Sequence, residues 1–381
     1  MIHLSQKSDC CGCHACVQVC PQRCISMRED DRGFLYPEVD ALSCVECGLC
    51  ETVCPVINAG ESRRPLRVLA AKNPDESVRL ASSSGGLFTM LAERVIAEGG
   101  VVFGAKFDES WGGVVHTAAE SMDEVAALRG SKYVQSVMGD AYQRAYAILR
   151  QGRKVLFSGT PCQIAGLKKF LRRDYDNLLT LDVVCHGVPS PLVWREYLKD
   201  NFGENVRVVN MRDKSKGWSA YRVKIEADCN KYCRPASENV YIEGFLKDLY
   251  LRPSCYVCPS KAGRSGSDIT LGDFWGITQC HPDFADDKGV SLALIGSKKG
   301  EGAVDGIDIS AEHSTYENAV RYNPCIECSV SEPPQSVAFW NLFEKIGAQA
   351  IEEICRSMRP SALSRIILRL KTILWHIIHR R

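Results

Sequence analysis

The chain has no surplus of either charge: 47 Lys and Arg stand against 46 Asp and Glu in 381 residues, a formal net charge of +1. Nothing global therefore marks a nucleic-acid partner, which a strongly basic surface would. No long apolar run opens the sequence, and Met1-Ile2-His3-Leu4 gives way at once to polar residues. A secretory leader is accordingly not expected. The dinucleotide fingerprint G-x-G-x-x-G is missing too, which disfavours a Rossmann nucleotide site.

What the chain does have is cysteine, 20 residues of it. Without a leader such thiols imply a reducing, cytoplasmic setting, where they bind metal or carry redox chemistry instead of pairing. Cys10, Cys13, Cys16 and Cys20, closed by Pro21, recur 34 residues later as Cys44, Cys47, Cys50 and Cys54, closed by Pro55. Each run reads C-x2-C-x2-C-x3-C-P, the spacing that bacterial-type ferredoxins use for 4Fe–4S clusters. Three close thiolates wrap one cubane and the fourth ligates its neighbour. The expected partition is Cys10, Cys13, Cys16 and Cys54 on one cluster, and Cys44, Cys47, Cys50 and Cys20 on the other. Zinc also takes CxxC pairs, but a structural zinc needs four ligands, not two matched runs of four. Two neighbouring clusters pass single electrons.

Hydrophobic residues make up 45% of the chain, enough for a substantial core beyond this small module. Residues 1–58 form the cluster module, and residues 59–67, with Gly60 and Pro65, read as a linker. Beyond it, strand and helix patterns alternate. Strands are expected at 68–71, 101–107, 154–157, 178–184 and 292–295, with helices at 85–97, 141–149 and 163–171. The 205–250 region has further β-like stretches, and 255–276 is rich in turns. An α+β chain with a mixed α/β second domain follows, in two parts at 68–150 and 151–330, with a tail at 331–381.

A second set of cysteines sits where loops meet strands. Ser158-Gly159-Thr160-Pro161-Cys162 follows a strand and opens a helix, whose N-terminal dipole favours a thiolate. Cys185 and His186 end another strand, and Cys255 and Cys258 form a CxxC before Pro259. Together Cys162, Cys185, Cys255 and Cys258 make a third 4Fe–4S site on one reading, and incidental buried cysteines on the other. Two loops suit a phosphate-bearing cofactor. Ser82-Ser83-Ser84-Gly85-Gly86 precedes a helix, where it can cap that helix or offer N–H groups to a pyrophosphate. Gly130-Ser131-Lys132-Tyr133 adds a flexible turn, a cation and an aromatic ring.

SSSGGLF (82–88), GSKYVQS (130–136), GTPCQIAGL (159–167), CHGVPSP (185–191) and the segment 251–276 resemble, taken together, the family of coenzyme F420 hydrogenase/dehydrogenase beta subunits. The resemblance covers about residues 5–325, with a two-cluster ferredoxin domain fused at the N-terminus. It implies a flavoprotein that binds FAD with an internal 4Fe–4S cluster near the flavin ring. Carried onto this chain, Ser82, Ser83, Ser84, Gly85 and Gly86, then Gly130, Ser131, Lys132 and Tyr133, with Gly159 and Thr160, would contact FAD. Cys162, Cys185, Cys255 and Cys258 would hold the internal cluster. His186 would donate a proton to substrate, or else hydrogen-bond beside a ligand. Asp268 and Asp273 would organise the loop rather than act as acids.

The expected function is an iron–sulfur flavoprotein oxidoreductase, passing electrons from the N-terminal clusters to an organic acceptor or, in reverse, from reduced coenzyme F420. The alternative is a non-catalytic electron-transfer subunit. Its partners would be a redox protein or a small donor or acceptor, and a partner subunit is also compatible. Cys11, Cys24, Cys229, Cys233, Cys280, Cys325, Cys328 and Cys355 stay unassigned, although Cys325 and Cys328 form a CxxC that competes for part of the internal site. Finally, Leu363, Ile366, Ile367, Leu370, Ile373, Leu374, Ile377 and Ile378 share one helical face opposite Arg365 and Arg369. A basic amphipathic helix of this kind suits peripheral contact with the inner membrane face, or packing on protein.

Overall fold

Residues 1–58 build the cluster module from a hairpin and two short helices. Strands β1 (Ile25–Glu29) and β2 (Leu35–Val39) pair antiparallel, with Ile25 opposite Val39. Each cysteine run enters its helix, Ala15–Val19 or Leu49–Thr52, through a left-handed residue, His14 at φ 62° and Gly48 at φ 71°. That reversal folds the run back on itself and turns its thiols toward one space. The computed structural model describes residues 1–228 and 230–359.

The larger part is organised by one mixed sheet of nine strands. In chain order they are β3 (Arg67–Lys72), β4 (Val101–Phe107), β5 (Val114–Ala119), β6 (Ser136–Val137), β7 (Val155–Gly159), β8 (Leu178–Val183), β12 (Ile269–Asp273), β13 (Ser291–Ile295) and β14 (Ser310–His313). Their spatial order is β14-β3-β13-β12-β8-β7-β4-β5-β6. The central strands β12, β8, β7 and β4 are parallel, and antiparallel strands flank them. Parallel strands need both faces covered, and their sequences are correspondingly rich in apolar residues. Val101, Phe103, Val155 and Phe157 pack under the helices Ala141–Arg150 and Pro161–Leu171. Val102, Leu156 and Leu181 point the other way, onto Leu87, Leu91 and Val95 of the helix Leu87–Ala97.

A third body carries β9 (Val206–Asp213), β10 (Arg222–Ala227) and β11 (Lys231–Pro235), a three-stranded antiparallel sheet. Its core is aromatic, joining Trp194, Tyr197, Tyr241, Tyr250, Phe339 and Phe343. Rings of this size bury large apolar areas and pack edge to face. Two helices at Gln335–Ile346 and Gln349–Ser357 belong to that core through Phe339, Trp340 and Ile351.

Most expected elements fall within a residue or two of those observed. The segment read as a linker is not a free tether: Arg63 N–H donates to the Ala262 carbonyl at 2.9 Å, and Ser62 Oγ to the same oxygen at 3.1 Å. It is strapped along the 262–267 turns. The tail likewise begins as two packed helices, because their aromatic faces complete the core of the three-stranded sheet. The basic amphipathic helix expected at 361–381 lies outside the described residues. Among those described, no helix is long and apolar enough to cross a membrane.

Candidate functional site

β4, β7, β8 and β12 run parallel, so their carboxyl ends open to the same side. A cleft of about 470 Å³ lies there, where open α/β sheets generally bind ligands, and its size falls among cofactor pockets of about 300–1,000 Å³. Both loops singled out in the sequence line it, as do Gly159, Thr160, Cys185 and His186.

The serine–glycine loop is fixed from three sides. Ser84 Oγ donates to the Val290 carbonyl at 2.7 Å, and Gly85 N–H donates to Ser291 Oγ at 3.0 Å. A Cβ on Gly85 would meet the Ala71 carbonyl oxygen at 2.3 Å, so only glycine lets the loop sit against the sheet. Buried Lys214 holds it from beneath, donating to the carbonyls of Arg79, Ser84 and Lys288 at 2.6–2.8 Å. Gly86, at φ 85°, then starts the helix Leu87–Ala97, whose first N–H groups are the anion-binding end. Ser82 is tied back by its hydroxyl to the Val78 carbonyl at 2.8 Å.

The second loop closes on the first. Ser131 Oγ lies 2.9 Å from Ser83 Oγ, and Gly130, at φ 81°, has open space where a side chain would be. Lys132 is spent differently from a free phosphate clamp. Its Nζ donates to the carbonyls of Leu128, Arg129 and Gly130 at 3.0, 2.7 and 3.2 Å, so it caps the helix Met122–Leu128, while burial pushes its ammonium down to about 7. Tyr133 packs against Phe245 with ring centroids 5.0 Å apart.

At the cleft floor, Thr160 and Gln163 form a capping box: Thr160 N–H donates to Gln163 Oε1 at 2.9 Å. Gln163 Nε2 donates to Ser136 Oγ at 2.9 Å, and that hydroxyl meets His116 Nδ1 at 3.0 Å. Burial pushes the His116 imidazole down to about 4, which keeps it neutral. No sequence motif points to His116, because the network joins three elements without periodic relation.

Arg212 also lies outside every sequence motif. It is 4% exposed, pairs with Asp273 at 2.9 Å, donates to the Ser83 carbonyl at 3.3 Å and lies 4.1 Å from the Tyr221 ring centroid. Among the described residues its Nε has no partner. A buried donor left free beside a cleft is costly unless a ligand takes it. Asp273 also accepts from Trp218 Nε1 at 2.9 Å, while Asp268 accepts from Thr180 and Ser297. Both aspartates organise structure.

Several of the cysteines expected as ligands share a cavity or a buried neighbourhood. One cavity is lined by Cys20, Cys44, Cys47 and Cys50, with Cys24 beside them, which is the predicted ligand set of one cluster. Burial pushes the Cys16 thiol up to about 12, and neighbouring Cys10 and Cys54 add to it. Among the dispersed set, burial raises Cys185 far above the ordinary thiol value; Lys261 opposes it, while Cys255, Cys162 and Cys258 add to it. Cys255 is raised to about 12 by burial, with Cys162 and Cys258 contributing. Cys162, Cys255 and Cys258 thus lie near enough for their charge to act on Cys185. Thiols so raised become thiolates only beside strong positive charge such as iron. Among the described residues no three Cys, His, Asp or Glu side chains converge on a single-ion site; four thiolates around a cubane stand farther apart than around one zinc, with Zn–S bonds of about 2.3 Å.

Cys11, unassigned from sequence, lies in side-chain contact with both Cys13 and Cys162, one from each cysteine set. His186 is held at both ring nitrogens: Nε2 to Asp248 at 2.6 Å and Nδ1 to Cys325 Sγ at 3.7 Å. Neither nitrogen is left over for the cleft. Cys325 faces His186 and lines one cavity together with Cys185 and Lys261.

Residues 152–318 match the family model for the C terminus of the coenzyme F420 hydrogenase/dehydrogenase beta subunit, and residues 68–142 match its N-terminal counterpart. Residues 9–58 match a 4Fe-4S dicluster domain. An uncharacterized protein of Methanocaldococcus jannaschii is 25% identical over 325 residues, 77% of this chain and 85% of its own. The coenzyme F420-dependent sulfite reductase of that organism is 26% identical over 313 residues, 79% of this chain but only 46% of that protein. A subunit of the F(420)H(2) dehydrogenase of Methanosarcina mazei is 24% identical over 267 residues, 66% of this chain and 72% of its own. Among solved structures, a chain of the F420-reducing NiFe hydrogenase complex from Methanosarcina barkeri aligns with TM-score 0.47 and 18% identity, over 77% of this chain and 91% of that one.

Proposed function

The chain belongs to the family of coenzyme F420 hydrogenase/dehydrogenase beta subunits, with a 4Fe–4S dicluster domain fused ahead of it, and on that premise we propose that it is an iron–sulfur flavoprotein oxidoreductase with FAD in the cleft. The observation that carries this reading is the position of Cys185. It lines the cleft and also stands among Cys162, Cys255 and Cys258, so a cluster on those four thiolates would border the ligand space.

When bound, clusters carry single electrons and a flavin collects two, which together suit reduction or oxidation of an organic molecule. The chain's own residues have simpler tasks. Cys10, Cys13, Cys16 and Cys54, then Cys20, Cys44, Cys47 and Cys50, hold the N-terminal clusters, and the four dispersed cysteines hold the internal one. Ser83, Ser131 and the N-terminus of the helix Leu87–Ala97 offer donors to an anionic phosphate, and Arg212, held in its ion pair with Asp273, lines the cleft beside them. Asp248 and Cys325 fix His186, so its place here is to hold the loop after Cys185 instead of delivering a proton. Electrons can run either way, to an acceptor or from reduced coenzyme F420, through the same residues.

A second reading, a relay component without a small substrate, is favoured by the match to one subunit of a dehydrogenase. Anaerobically purified full-length protein separates these readings. The proposal expects about 12 iron and one FAD per chain, with turnover of a reduced deazaflavin or viologen against small acceptors in the absence of partners. About 8 iron and no flavin would defeat the cleft reading. Full cofactor content without any turnover alone would favour the relay.

A further inference from the structure

The junction between the dicluster module and the large sheet contains a cation that no carboxylate among the described residues answers. Arg252 is fully buried, at 0% exposure. Its Nε donates to the Cys10 carbonyl at 2.7 Å, Nη1 to Gln135 Oε1 at 2.9 Å and Nη2 to the Leu35 carbonyl at 2.9 Å. The guanidinium also lies 4.3 Å from the ring centroid of Tyr36 and 5.5 Å from that of Phe34. Every acceptor it reaches among the described residues is neutral.

A buried ion without a counter-charge costs several kcal/mol even after relaxation. Neutral carbonyls and ring faces offset part of that cost. The rest calls for negative charge nearby, and the position of Arg252 shows where it comes from. Cys10, whose carbonyl it binds, is the first ligand of the N-terminal run. Cys255 follows three residues later, and its N–H donates to the Arg252 carbonyl at 2.8 Å. The backbone is also fitted to the cation: Gly12, between Cys11 and Cys13, has φ +69°, and a Cβ there would stand 2.9 Å from Arg252 Nη1 and 2.7 Å from Gln135 Nε2.

We propose that Arg252 is the shared counter-ion of the inner N-terminal cluster, on Cys10, Cys13, Cys16 and Cys54, and of the internal cluster, and that it raises the reduction potential of both. The second half rests on the four-cysteine reading of the internal site; the first half does not. Each one-electron reduction adds one negative charge beside a fixed positive one, and Arg252 stays protonated throughout, so no proton accompanies the electron at this residue. It is a positioning residue for charge, touching no substrate.

The test is a dithionite titration of the full-length holoprotein, followed by electron paramagnetic resonance, with iron content measured on the same samples. Arg252→Met should make each adjacent cluster at least tenfold harder to reduce, a downward shift of about 59 mV for one electron. Arg252→Lys, which keeps the charge, should remain close to wild type. Gln135→Glu sets a carboxylate against Nη1, neutralises the cation without emptying its pocket, and should reproduce the Met shift. This variant decides the matter if Arg252→Met fails to load iron. Unchanged midpoints in Gln135→Glu at full iron content would overturn the proposal, as would an Arg252→Lys shift as large as that of Arg252→Met. A preparation with only eight iron would refute the internal site, and the inner N-terminal midpoint would still decide the role of Arg252.

Discussion

Ser83 and Ser131 meet hydroxyl to hydroxyl at 2.9 Å, although 48 residues separate them. Their contact locks the serine–glycine loop to the glycine–serine–lysine turn, so two segments that each looked generic become one rim of the cleft. Because each hydroxyl is the other's partner, the two alanine variants should not be additive. Ser83→Ala and Ser131→Ala should each cost about 1 kcal/mol, with the double variant falling short of their sum. Urea unfolding of the four proteins measures the coupling, and strict additivity would show that the contact contributes nothing.

Gly85 is the tightest point of that rim. A Cβ would press on the Ala71 carbonyl at 2.3 Å and the Ser291 nitrogen at 2.5 Å. Gly85→Ala should therefore destabilise by about 1–3 kcal/mol, the usual range for forced overpacking. Flavin retained after gel filtration should drop with it, since the loop must move off the sheet. Wild-type melting and flavin content in this variant would contradict the geometry.

The internal four-cysteine site predicts a selective loss. Cys255→Ser or Cys258→Ser should lower iron from about 12 to about 8 per chain and leave the signals of the N-terminal pair in place. Loss of all iron would mean that the module cannot stand without the internal site. Retention of all of it would mean that these thiols are not ligands.

Arg79 and Asp286 support the serine loop from outside, joined by two hydrogen bonds, one of them at 2.7 Å. Burial alone would raise the Asp286 carboxyl; the Arg79 guanidinium outweighs it and holds the group at about 2, below its ordinary 3.8. A depressed carboxylate stabilises the fold above its unfolded value and loses that contribution as pH falls through the folded one. Asp286→Asn should thus be less stable than wild type by a constant margin between pH 5 and pH 7. The margin should close as pH falls from about 4 toward 2. Urea titrations of the cluster-free proteins across that range would reveal a margin that stays open, if the pairing is unimportant.

The N-terminal module was legible because its information is local. Each cysteine run lies within 11 residues, one left-handed turn folds it inward, and its spacing gives the expected division of thiols between two cubanes. The buried strands were equally legible, since a sheet covered on both faces demands apolar runs such as Val101–Phe103 and Leu292–Ile295. The dispersed cysteines could be named but not joined by spacing. Their placement depends on the parallel order of β7 and β8, which sets Cys162 and Cys185 at the carboxyl end of the sheet, and on the turn that carries Cys255 and Cys258 near them. Arg212 and His116 left no mark in the pattern, and Arg252, although inside the quoted 251–276 segment, carried no role there, because an arginine or histidine reads as surface until its partners are known. Sequence by itself determined that this chain holds clusters and moves electrons. Only the tertiary structure decided where the module docks, which free thiol lies between the two cysteine sets, and that a lone buried cation sits at their junction, because burial and counter-charge are properties of packed neighbours and not of residue order.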